Sequence, residues 1–461
     1  MKNIKSPVLQ GLLSMSKKDK FRFHMPGHKG KFLELYKSMS SNLLSLDFTE
    51  VNGTDDLYNS KEILKEGMDL LTKERMSKYS FYLTNGTTVG ILASIMALTN
   101  NEDSILISKD CHKSVYSAIE LNKLKPIILE NIIYDSGLVL PIEEDLIINE
   151  LKRNNNIKMV VFSRPNYYGL CSNIEKLAKY CSENEIFLLV DEAHGSHLNY
   201  HSDLPKNALK SGAHISVNSF HKTLPALTQS SVINFNHNLS QLNIKKVLNI
   251  IEKLQSSSPS YLLMTSIDIS RAYMEVYGKE KLNSLKTHIE DFEKSIENLP
   301  WIKIPYIPNY IRKDFTRIIL ETKMPASIVQ NYLEENNIYL EMISKNILVL
   351  ITTTEDTKED LEYLSRILKD FNPNYNINNN IVENIDDKNN NDNLHYVPLN
   401  KSAGKKLNEN IIIYPPGSVY LKKGDIISEE NIKYINELIN SGIKVYTDFN
   451  KDINNLYISI D

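Results

Sequence analysis

The feature that most constrains the fold is a regular alternation of short apolar runs with helix-like stretches between about residues 80 and 234. The apolar runs read SILIS (104–108), KMVVFS (158–163), IFLLVD (186–191), HISVNS (214–219) and SSVINF (230–235). Helical candidates lie between them, at 87–99, 113–123, 174–184 and 205–211. Buried strands that alternate with helices predict an α/β fold around a largely parallel sheet. Ligands of such sheets bind beyond the carboxyl ends of the strands, so polar residues there are the first candidates for a functional site.

The rest of the chain divides into further parts. Helical stretches at 261–277 and 279–297 lead into strand–helix–strand patterning up to residue 371, which predicts a smaller α+β domain. Residues 372–393 are dominated by asparagine and predict a solvated linker. We therefore predict an N-terminal segment at 1–60, a large domain at 61–242, a small α+β domain at 243–371, a linker at 372–394 and a C-terminal module at 395–461.

Charge and cysteine content narrow the class of protein. The 53 basic and 57 acidic residues of the 461-residue chain leave a net charge of −4, which argues against nucleic acid or an anionic membrane as the main partner. No apolar run approaches the roughly 18 residues that span a bilayer, and the N-terminus lacks the pattern of a signal peptide. Cys111, Cys171 and Cys181 show no CxxC spacing and are expected to be reduced and buried. We predict a soluble, cytoplasmic protein.

The strongest local signal lies at the ends of two strands. Asp191 closes the strand IFLLVD, and Lys222 follows the strand HISVN, so both are expected on one edge of the sheet. A lysine at a strand end is usually solvated, but the stretch TLPALTQSS after Lys222 carries no charge and predicts a buried neighbourhood. Burial lowers the proton affinity of a lysine, and a neutral amine is a competent nucleophile toward an aldehyde.

Two further signals belong to the same predicted edge. NGTTVG (85–90) places a glycine turn and two hydroxyl residues, Thr87 and Thr88, at the start of a helix, which is an arrangement that binds anions. The alternative is that Thr87 or Thr88 only caps the helix. His112 follows the strand SILIS and is either structural or, through its place on this edge, part of a site.

The remaining histidines do not predict a metal site. Pro26 and Gly27 separate His24 from His28 and prevent the helical spacing of zinc pairs. His194, His197 and His201 lack both an HExxH pattern and a nearby cysteine. An amine, a carboxylate, an anion site and a ring-stacking histidine are instead the set that holds a phosphate-bearing aldehyde, and they predict pyridoxal 5'-phosphate as the cofactor.

The sequence resembles the ornithine/lysine/arginine decarboxylase family, and the similar segments follow the family's order over nearly the whole chain. They are FHMPGHKG (23–30), DFTEVNGTDDLYNS (47–60), NGTT (85–88), CHKSVYSA (111–118), NYYGL (166–170), DEAHGSH (191–197), SFHKTLPALTQ (219–229), SSSPSYLLMTSID (256–268) and YPPG (414–417). The resemblance implies the aspartate aminotransferase-like fold of fold-type I pyridoxal phosphate enzymes. It is greatest to the short form of the family, which lacks an N-terminal wing domain, and to arginine decarboxylases.

The resemblance also implies roles for individual residues. Lys222 would bind the cofactor covalently, Asp191 would keep its pyridine nitrogen protonated, and His112 would stack on its ring. The phosphate would be held by residues at the start of the helix and beside the lysine, namely Gly86, Thr87, Thr88, Ser219 and His221. His194 would lie next to the covalent link. Ser256 and Ser257, together with Ser258, would reach the phosphate of a second subunit in a homodimer or a higher even assembly, whose interface the segment around His24 to His28 would help to order.

The substrate is less constrained than the cofactor. The resemblance implies a small basic amino acid, arginine before lysine and ornithine last, and polyamine biosynthesis as the process. Glu50, Asp55 and Asp56 are candidates for binding its distal cation, and turn or capping roles are equally open for them. Asn52, Thr54 and Arg164 depart from the family's pattern. Another reaction of the same fold, such as transamination, and a catalytically silent homologue that binds a partner are the alternatives.

Overall fold

The structure is a computed structural model that describes residues 5–18, 20–31, 33–373, 396–414, 417–440, 443–448 and 457–459. Its α-helices are α1 (Pro7–Lys18), α2 (Lys37–Ser41), α3 (Ile63–Arg75), α4 (Gly86–Leu98), α5 (Lys113–Leu121), α6 (Glu144–Arg153), α7 (Glu175–Glu183), α8 (Phe220–Thr223), α9 (Gln241–Leu254), α10 (Tyr261–Ile296), α11 (Ala326–Glu335), α12 (Lys358–Asp370) and α13 (Glu429–Asn440). No described helix combines the length and apolar character needed to cross a membrane.

The β-strands are also numbered in the order in which they occur along the chain. They are β1 (Phe21–Phe23), β2 (Tyr79–Leu83), β3 (Ser104–Ser108), β4 (Lys125–Leu129), β5 (Ile157–Ser163), β6 (Leu170–Cys171), β7 (Phe187–Asp191), β8 (Ile215–Ser219), β9 (Ser231–Phe235), β10 (Ile302–Lys303), β11 (Arg312–Lys313), β12 (Arg317–Thr322), β13 (Ile338–Leu340), β14 (Met342–Ser344), β15 (Ile347–Ile351), β16 (Tyr396–Pro398), β17 (Ile411–Tyr414), β18 (Ser418–Leu421), β19 (Lys444–Thr447) and β20 (Tyr457–Ser459).

A seven-stranded sheet in the order β2-β9-β8-β7-β5-β3-β4 organises the large domain. The strands from β8 to β4 pair in parallel, whereas β9 is antiparallel to both β2 and β8. The prediction of a largely parallel α/β sheet is therefore confirmed. The carboxyl ends of β3, β5, β7 and β8 lie along one edge, which collects the polar residues that follow these strands.

Both faces of this sheet are buried, which explains why its strands are nearly continuous apolar runs. On one face, Leu106, Val160 and Leu188 pack in a cluster with residues of α6 and α7. On the other, Ile105 and Ile107 belong to the core cluster that includes residues of α4 and α9. The three cysteines are free and buried, as predicted.

The prediction of a helix at 205–211 is wrong, because this segment consists of turns and irregular backbone. Its backbone groups are held by side chains from elsewhere: Glu192 Oε1 accepts from the N–H of Ala208 at 2.7 Å, and Arg164 Nη1 donates to the carbonyl of Lys206 at 2.6 Å. Both side chains are buried. Tertiary hydrogen bonds thus replace the helical ladder at this position.

The two helices predicted at 261–277 and 279–297 form one continuous helix, α10. Gly278, which separates them in the sequence, is a packing residue. A Cβ atom there would lie 2.9 Å from Met274 Cε and 3.3 Å from Tyr200 Cδ1. The glycine is needed for this close approach and does not end the helix.

A second, antiparallel sheet in the order β10-β12-β15-β14 lies within residues 302–351. Helix α10 packs against α12 beside it. Helix α9 spans the predicted domain boundary at 242/243 and packs against α4. The four boundaries between the five predicted segments stay predictions.

The C-terminal part contains a three-stranded sheet, β18-β17-β19, and helix α13. It contacts the large domain at the carboxyl edge of the seven-stranded sheet, where the N–H of Lys113 donates to the carbonyl of Gly417 at 3.1 Å. Beside this contact, the backbones of His112 and Ser418 pair as an isolated antiparallel β-bridge. Residues 374–395 of the predicted linker region and Pro415 and Pro416 of the YPPG segment lie outside the described residues.

Candidate active site

A cavity of about 170 Å³ lies at the carboxyl edge of the seven-stranded sheet. Nine of the residues singled out in the sequence line it: Gly86, Thr87, Thr88, His112, Asp191, His194, Ser219, His221 and Lys222. They come from the ends of β3, β7 and β8 and from the start of α4, which are separated by up to 136 residues in the chain (222 − 86). The sheet topology brings them together, as the rule for parallel sheets predicts.

Lys222 lies on the short helix α8, directly after β8, and its Nζ is 3.1 Å from Nε2 of His194. Burial lowers the pKa of Lys222, and Arg317 lowers it further, whereas Asp191 and Glu341 oppose this shift. A lowered pKa leaves a larger fraction of the amine neutral, with its lone pair available for attack on a carbonyl carbon.

His194 connects Lys222 to Arg317. The guanidinium Nη2 of Arg317 lies 3.3 Å from Nδ1 of His194, and arginine can only donate, so Nδ1 must carry a lone pair. Burial, followed by Lys222 and Arg317, lowers the pKa of His194 well below its usual value, and the ring is therefore neutral with its proton on Nε2. That Nε2–H faces Lys222 and donates to the lone pair of the neutral amine.

Arg317 is itself held in place by two buried polar residues that precede it at the start of β12, Thr316 and Asp314. Its Nη1 donates to Thr316 Oγ1 at 3.2 Å and lies 4.0 Å from a carboxylate oxygen of Asp314. The same carboxylate is 3.0 Å from Nε2 of His197. Burial alone would raise the pKa of Asp314, but His197 and Arg317 lower it to about 2, so Asp314 is a stable anion that fixes the guanidinium.

Asp191 ends β7 and is 5 % exposed. Its Oδ1 accepts from the N–H of Ala193 at 3.1 Å. Burial raises the pKa of Asp191, and Lys222 opposes this shift. A buried carboxylate in the same cavity as the amine has the chemistry needed to pair with a protonated pyridine nitrogen.

The start of α4 provides groups that can bind an anion. The helix begins at Gly86 (φ +72°), and its N-cap residue, Asn85, makes no side-chain capping hydrogen bond. Thr87 and Thr88 lie inside the first turn, so neither has the capping role that the sequence left open; Thr87 Oγ1 is 3.3 Å from Ser219 Oγ. First-turn N–H groups together with these hydroxyls suit a phosphate.

Two neutral histidines flank this arrangement. His112 caps α5, its Nδ1 accepting from the N–H of Ser114 at 3.2 Å, and burial together with Lys222 lowers its pKa to about 3. His221 donates from Nδ1 to the carbonyl of Ser230 at 3.1 Å. Burial and Lys222 lower the pKa of His221 to about 4, although the hydrogen bond to Ser230 opposes this. Both rings can contact a planar ligand without adding charge.

The structure adds residues that the sequence reasoning missed. Tyr167 lines the cavity, with its ring centroid 5.5 Å from Lys222 Nζ and 4.4 Å from the ring of His194. Ser163 and Pro165 line it from the end of β5. Tyr167 belongs to the quoted segment NYYGL, which was the available signal, whereas Arg317 lies in an ordinary strand pattern that carries none.

The segment from His24 to Lys29 packs directly on the helix that bears Lys222. The N–H of Gly27 donates to the carbonyl of His221 at 2.7 Å, and the carbonyl of Gly27 accepts from Thr353 Oγ1 at 2.8 Å. The N–H of Met25 donates to Glu341 Oε2 at 3.0 Å. In this chain the segment therefore lies between the large domain and the second sheet. Its predicted role at a subunit interface stays a prediction.

Several predicted residues lie elsewhere. Asp55 accepts from the backbone N–H groups of Lys61 and Glu62 at 2.9 and 2.8 Å, and Asp56 caps the turn at Tyr58 at 2.9 Å. These carboxylates therefore have the capping role that was one of their two alternatives. Glu50, Ser256 and Ser257 are exposed and do not line the cavity.

Similar solved structures identify the fold. The constitutive lysine decarboxylase of Escherichia coli superposes with a TM-score of 0.75 at 17% identity, over 99% of this chain and 81% of that chain. The ureidoglycine–glyoxylate aminotransferase of Bacillus subtilis gives 0.59 at 12% identity, over 80% and 94%. The fold is that of the fold-type I pyridoxal phosphate enzymes, which confirms the predicted fold class.

The family follows from the sequence comparisons. Residues 6–319 match the model of the Orn/Lys/Arg decarboxylase major domain. The uncharacterized protein YaaO of Bacillus subtilis is 31% identical over 475 residues, covering 94% of each chain, and the arginine decarboxylase of Bacillus anthracis is 28% identical over 473 residues, covering 95% of this chain and 94% of its own. The chain belongs to the Orn/Lys/Arg decarboxylase family, which is dependent on pyridoxal phosphate. The predicted decarboxylase class and cofactor are thereby confirmed.

The residues present fit this cofactor. The cavity contains one amine whose pKa burial lowers, one buried carboxylate and one helix N-terminus whose first turn carries the hydroxyls of Thr87 and Thr88. These are the three groups that an aldehyde, a pyridine nitrogen and a phosphate require.

Proposed function

We propose that this enzyme removes the α-carboxyl group of a basic amino acid as CO2 and releases the corresponding amine. Arginine, giving agmatine, is the first candidate substrate, lysine, giving cadaverine, the second, and ornithine the last. The arginine decarboxylase of Bacillus anthracis, which aligns over 95% of this chain, supports this order. Polyamine biosynthesis is the process we assign, because the amines formed are its building blocks.

The observation that carries the proposal is the placement of Lys222 and Asp191 in one buried cavity with the start of α4. When bound, pyridoxal phosphate supplies an electron sink for the pair of electrons that the departing CO2 leaves at Cα. Asp191 sustains that sink by holding a proton on the pyridine nitrogen, because a nearby anion raises that nitrogen's pKa. Gly86, Thr87 and Thr88 bind the phosphate, and His112 covers the ring.

Lys222 has two tasks in this proposal. Its neutral amine would hold the cofactor's aldehyde carbon, with loss of water. Once the substrate's amino group has taken its place, the freed Lys222 side chain, carrying a proton as an ammonium group, would be placed to return that proton to Cα. His194 donates its Nε2–H to the amine nitrogen at 3.1 Å and keeps it oriented. His221, beside Lys222, is the second candidate for the proton donor.

We propose a homodimer, or a multiple of it, as the working assembly. Helix α1 buries none of its residues, and it exposes Val8, Leu9, Leu12 and Leu13. Leu44 is 87% exposed, and Phe48 and Val51 follow it in the same segment. Exposed apolar surface of this extent is typical of a protein interface. Ser256 and Ser257, which are exposed here, would then reach the partner subunit's phosphate.

We also propose that the enzyme acts in the cytoplasm. Its three cysteines are buried free thiols, as expected for a protein of a reducing compartment.

The test is to incubate the purified holoenzyme with arginine, lysine or ornithine separately and to measure CO2 and amine. We expect CO2 and amine in equal amounts, fastest with arginine. Turnover that requires a keto-acid acceptor and releases no CO2 would favour an aminotransferase, and purified protein that takes up no cofactor would favour a silent homologue.

The lysine assignment has its own test. Lys222→Ala should lose the visible absorption of the lysine-bound cofactor and all activity. Lys210→Ala, which removes an exposed lysine outside the cavity, is the matched control and should keep both. An unchanged visible band in Lys222→Ala would remove Lys222 from its role.

A further inference from the structure

A second cavity, of about 320 Å³, lies next to the cofactor cavity. Three parts of the chain enclose it: the carboxyl edge of the large sheet around Asp110, strand β14 of the second sheet, and β17, β18 and α13 of the C-terminal part. Its volume falls in the range of about 300–1,000 Å³ that is typical of small-molecule pockets. The cofactor chemistry described above does not use it.

The lining of this cavity has the chemistry of an organic-cation site. Tyr168, Tyr420 and Tyr434 present aromatic rings, and the rings of Tyr420 and Tyr434 contact each other at a tilt, with centroids 5.1 Å apart. Aromatic faces attract ammonium and guanidinium groups. Most of the remaining wall is apolar, with Ile133, Met342 and similar side chains, which suits the methylene chain of such a cation.

Asp110 supplies the counter-ion. Its side chain is partly exposed and lines the cavity. Burial raises the pKa of Asp110 and Asp191 adds to this, whereas hydrogen bonds from Ser108, from Asn131 and from the backbone N–H of Asp110 itself oppose the shift. The other acid of the lining, Glu130, is already paired with Lys109 at 2.9 Å. Asp110 is thus a carboxylate in an apolar wall that a bound cation would stabilise.

The two cavities adjoin. Tyr167 and Ser163 line both of them, and Tyr167 has its ring 5.5 Å from Lys222 Nζ. His112, which lines the cofactor cavity, is two residues from Asp110. A ligand whose amino-acid end is at Lys222 can therefore extend past Tyr167 toward Asp110.

We propose that this cavity binds the distal guanidinium or ammonium group of the substrate, with Asp110 as its anionic partner. This inference rests on the proposed function. It assigns substrate recognition to Asp110 in place of Glu50, Asp55 and Asp56, of which the last two cap backbone turns. The same chemistry would also hold a free amine that binds in this cavity without competing with the substrate. The experiment distinguishes such binding from recognition of the substrate's distal group.

The experiment compares Asp110→Asn with the wild-type holoenzyme. Asn keeps the shape and removes the charge, so KM for the basic amino acid should rise about tenfold or more while kcat changes less than KM. The visible absorption of the lysine-bound cofactor should not change. Glu102→Gln, which removes an exposed carboxylate at the other end of β3, is the matched control and should keep the wild-type KM.

A second readout does not depend on turnover. Agmatine and cadaverine, which lack the α-carboxyl group, should bind the wild-type holoenzyme in calorimetry, compete with the substrate, and bind at least tenfold more weakly to Asp110→Asn. If Asp110→Asn does not fold, Tyr434→Leu should raise KM in the same way and Tyr434→Phe, which keeps the ring, should not.

The results that overturn the inference are distinct from those that overturn the function. A wild-type enzyme that releases no CO2 from any basic amino acid ends the proposed function. A wild-type enzyme that does so, with Asp110→Asn within twofold of its KM, ends the inference alone. Amines that bind without competing with the substrate also overturn it.

Discussion

Arg317 and His194 form a hydrogen bond of 3.3 Å from Nη2 to Nδ1, and this contact determines which protonated imidazole nitrogen faces the nucleophile. It places the imidazole proton on Nε2, toward Lys222. Arg317 thus acts through His194 and is a positioning residue. It comes from β12, in the second sheet, so the residues of the seven-stranded sheet do not complete the active site alone.

Arg317→Met should raise the pKa of Lys222, because Arg317 lowers it and the carboxylates that raise it, Asp191 and Glu341, remain. The neutral amine would then form only at higher pH. We expect the rate at which the apoprotein captures pyridoxal phosphate, followed by visible absorption, to shift about one pH unit upward. Arg317→Lys keeps the charge and should shift less. An unchanged pH profile in Arg317→Met would show that the contact is only structural.

Asp191→Asn should weaken cofactor binding and lower kcat by about 10²–10³-fold, because a neutral amide does not hold a proton on the pyridine nitrogen. The dissociation constant for the cofactor and kcat report the two effects separately. Lys222 is retained in this variant, so covalent attachment should still be visible at saturating cofactor. Turnover at the wild-type rate would contradict the assignment of Asp191.

Gly27→Ala should disturb the helix that carries Lys222. A Cβ atom at Gly27 would lie 2.3 Å from the carbonyl oxygen of Leu224, so the backbone must move. We expect a loss of about 1–3 kcal/mol in stability and weaker cofactor binding, measured by thermal melting and by cofactor titration. Gly11→Ala, where nothing lies within 4 Å, is the control and should melt at or slightly above the wild-type temperature.

Because of Glu192, the free energy of unfolding should be larger at mildly acidic pH than at neutral pH. Burial raises its pKa from 4.5 to about 7, although Arg164 and Asn218 oppose the shift. The folded state therefore holds a proton that the unfolded state releases. This contribution is complete below about pH 4.5 and is lost as the pH rises through about 7.

The measurement is the free energy of unfolding in denaturant at several pH values. Within this window the wild-type value should fall with rising pH by up to about 1.4 kcal/mol per unit for this one proton. Glu192→Gln does not titrate and should show a shallower slope than the wild type. Equal slopes in the two proteins would mean that Glu192 is ionised throughout.

The carboxyl-edge residues could be predicted because each follows an apolar run long enough to identify a buried strand. Their positions at the ends of two such strands were enough to predict that Asp191 and Lys222 lie close together. Arg317 could not be found in this way, because its contact with His194 joins a strand residue of the second sheet to a turn residue 123 positions away, after the end of β7. The helix expected at 205–211 failed for a related reason, since Glu192 and Arg164 take its backbone hydrogen bonds. Local patterns do not contain such partners.

The loop at Met25–Gly27 has a mechanical consequence. It is hydrogen-bonded on one side to His221, next to the reactive lysine, and on the other to Thr353 and Glu341, which lie just outside strands β15 and β14 of the second sheet. The position of the lysine-bearing helix is therefore tied through this loop to the position of the second sheet.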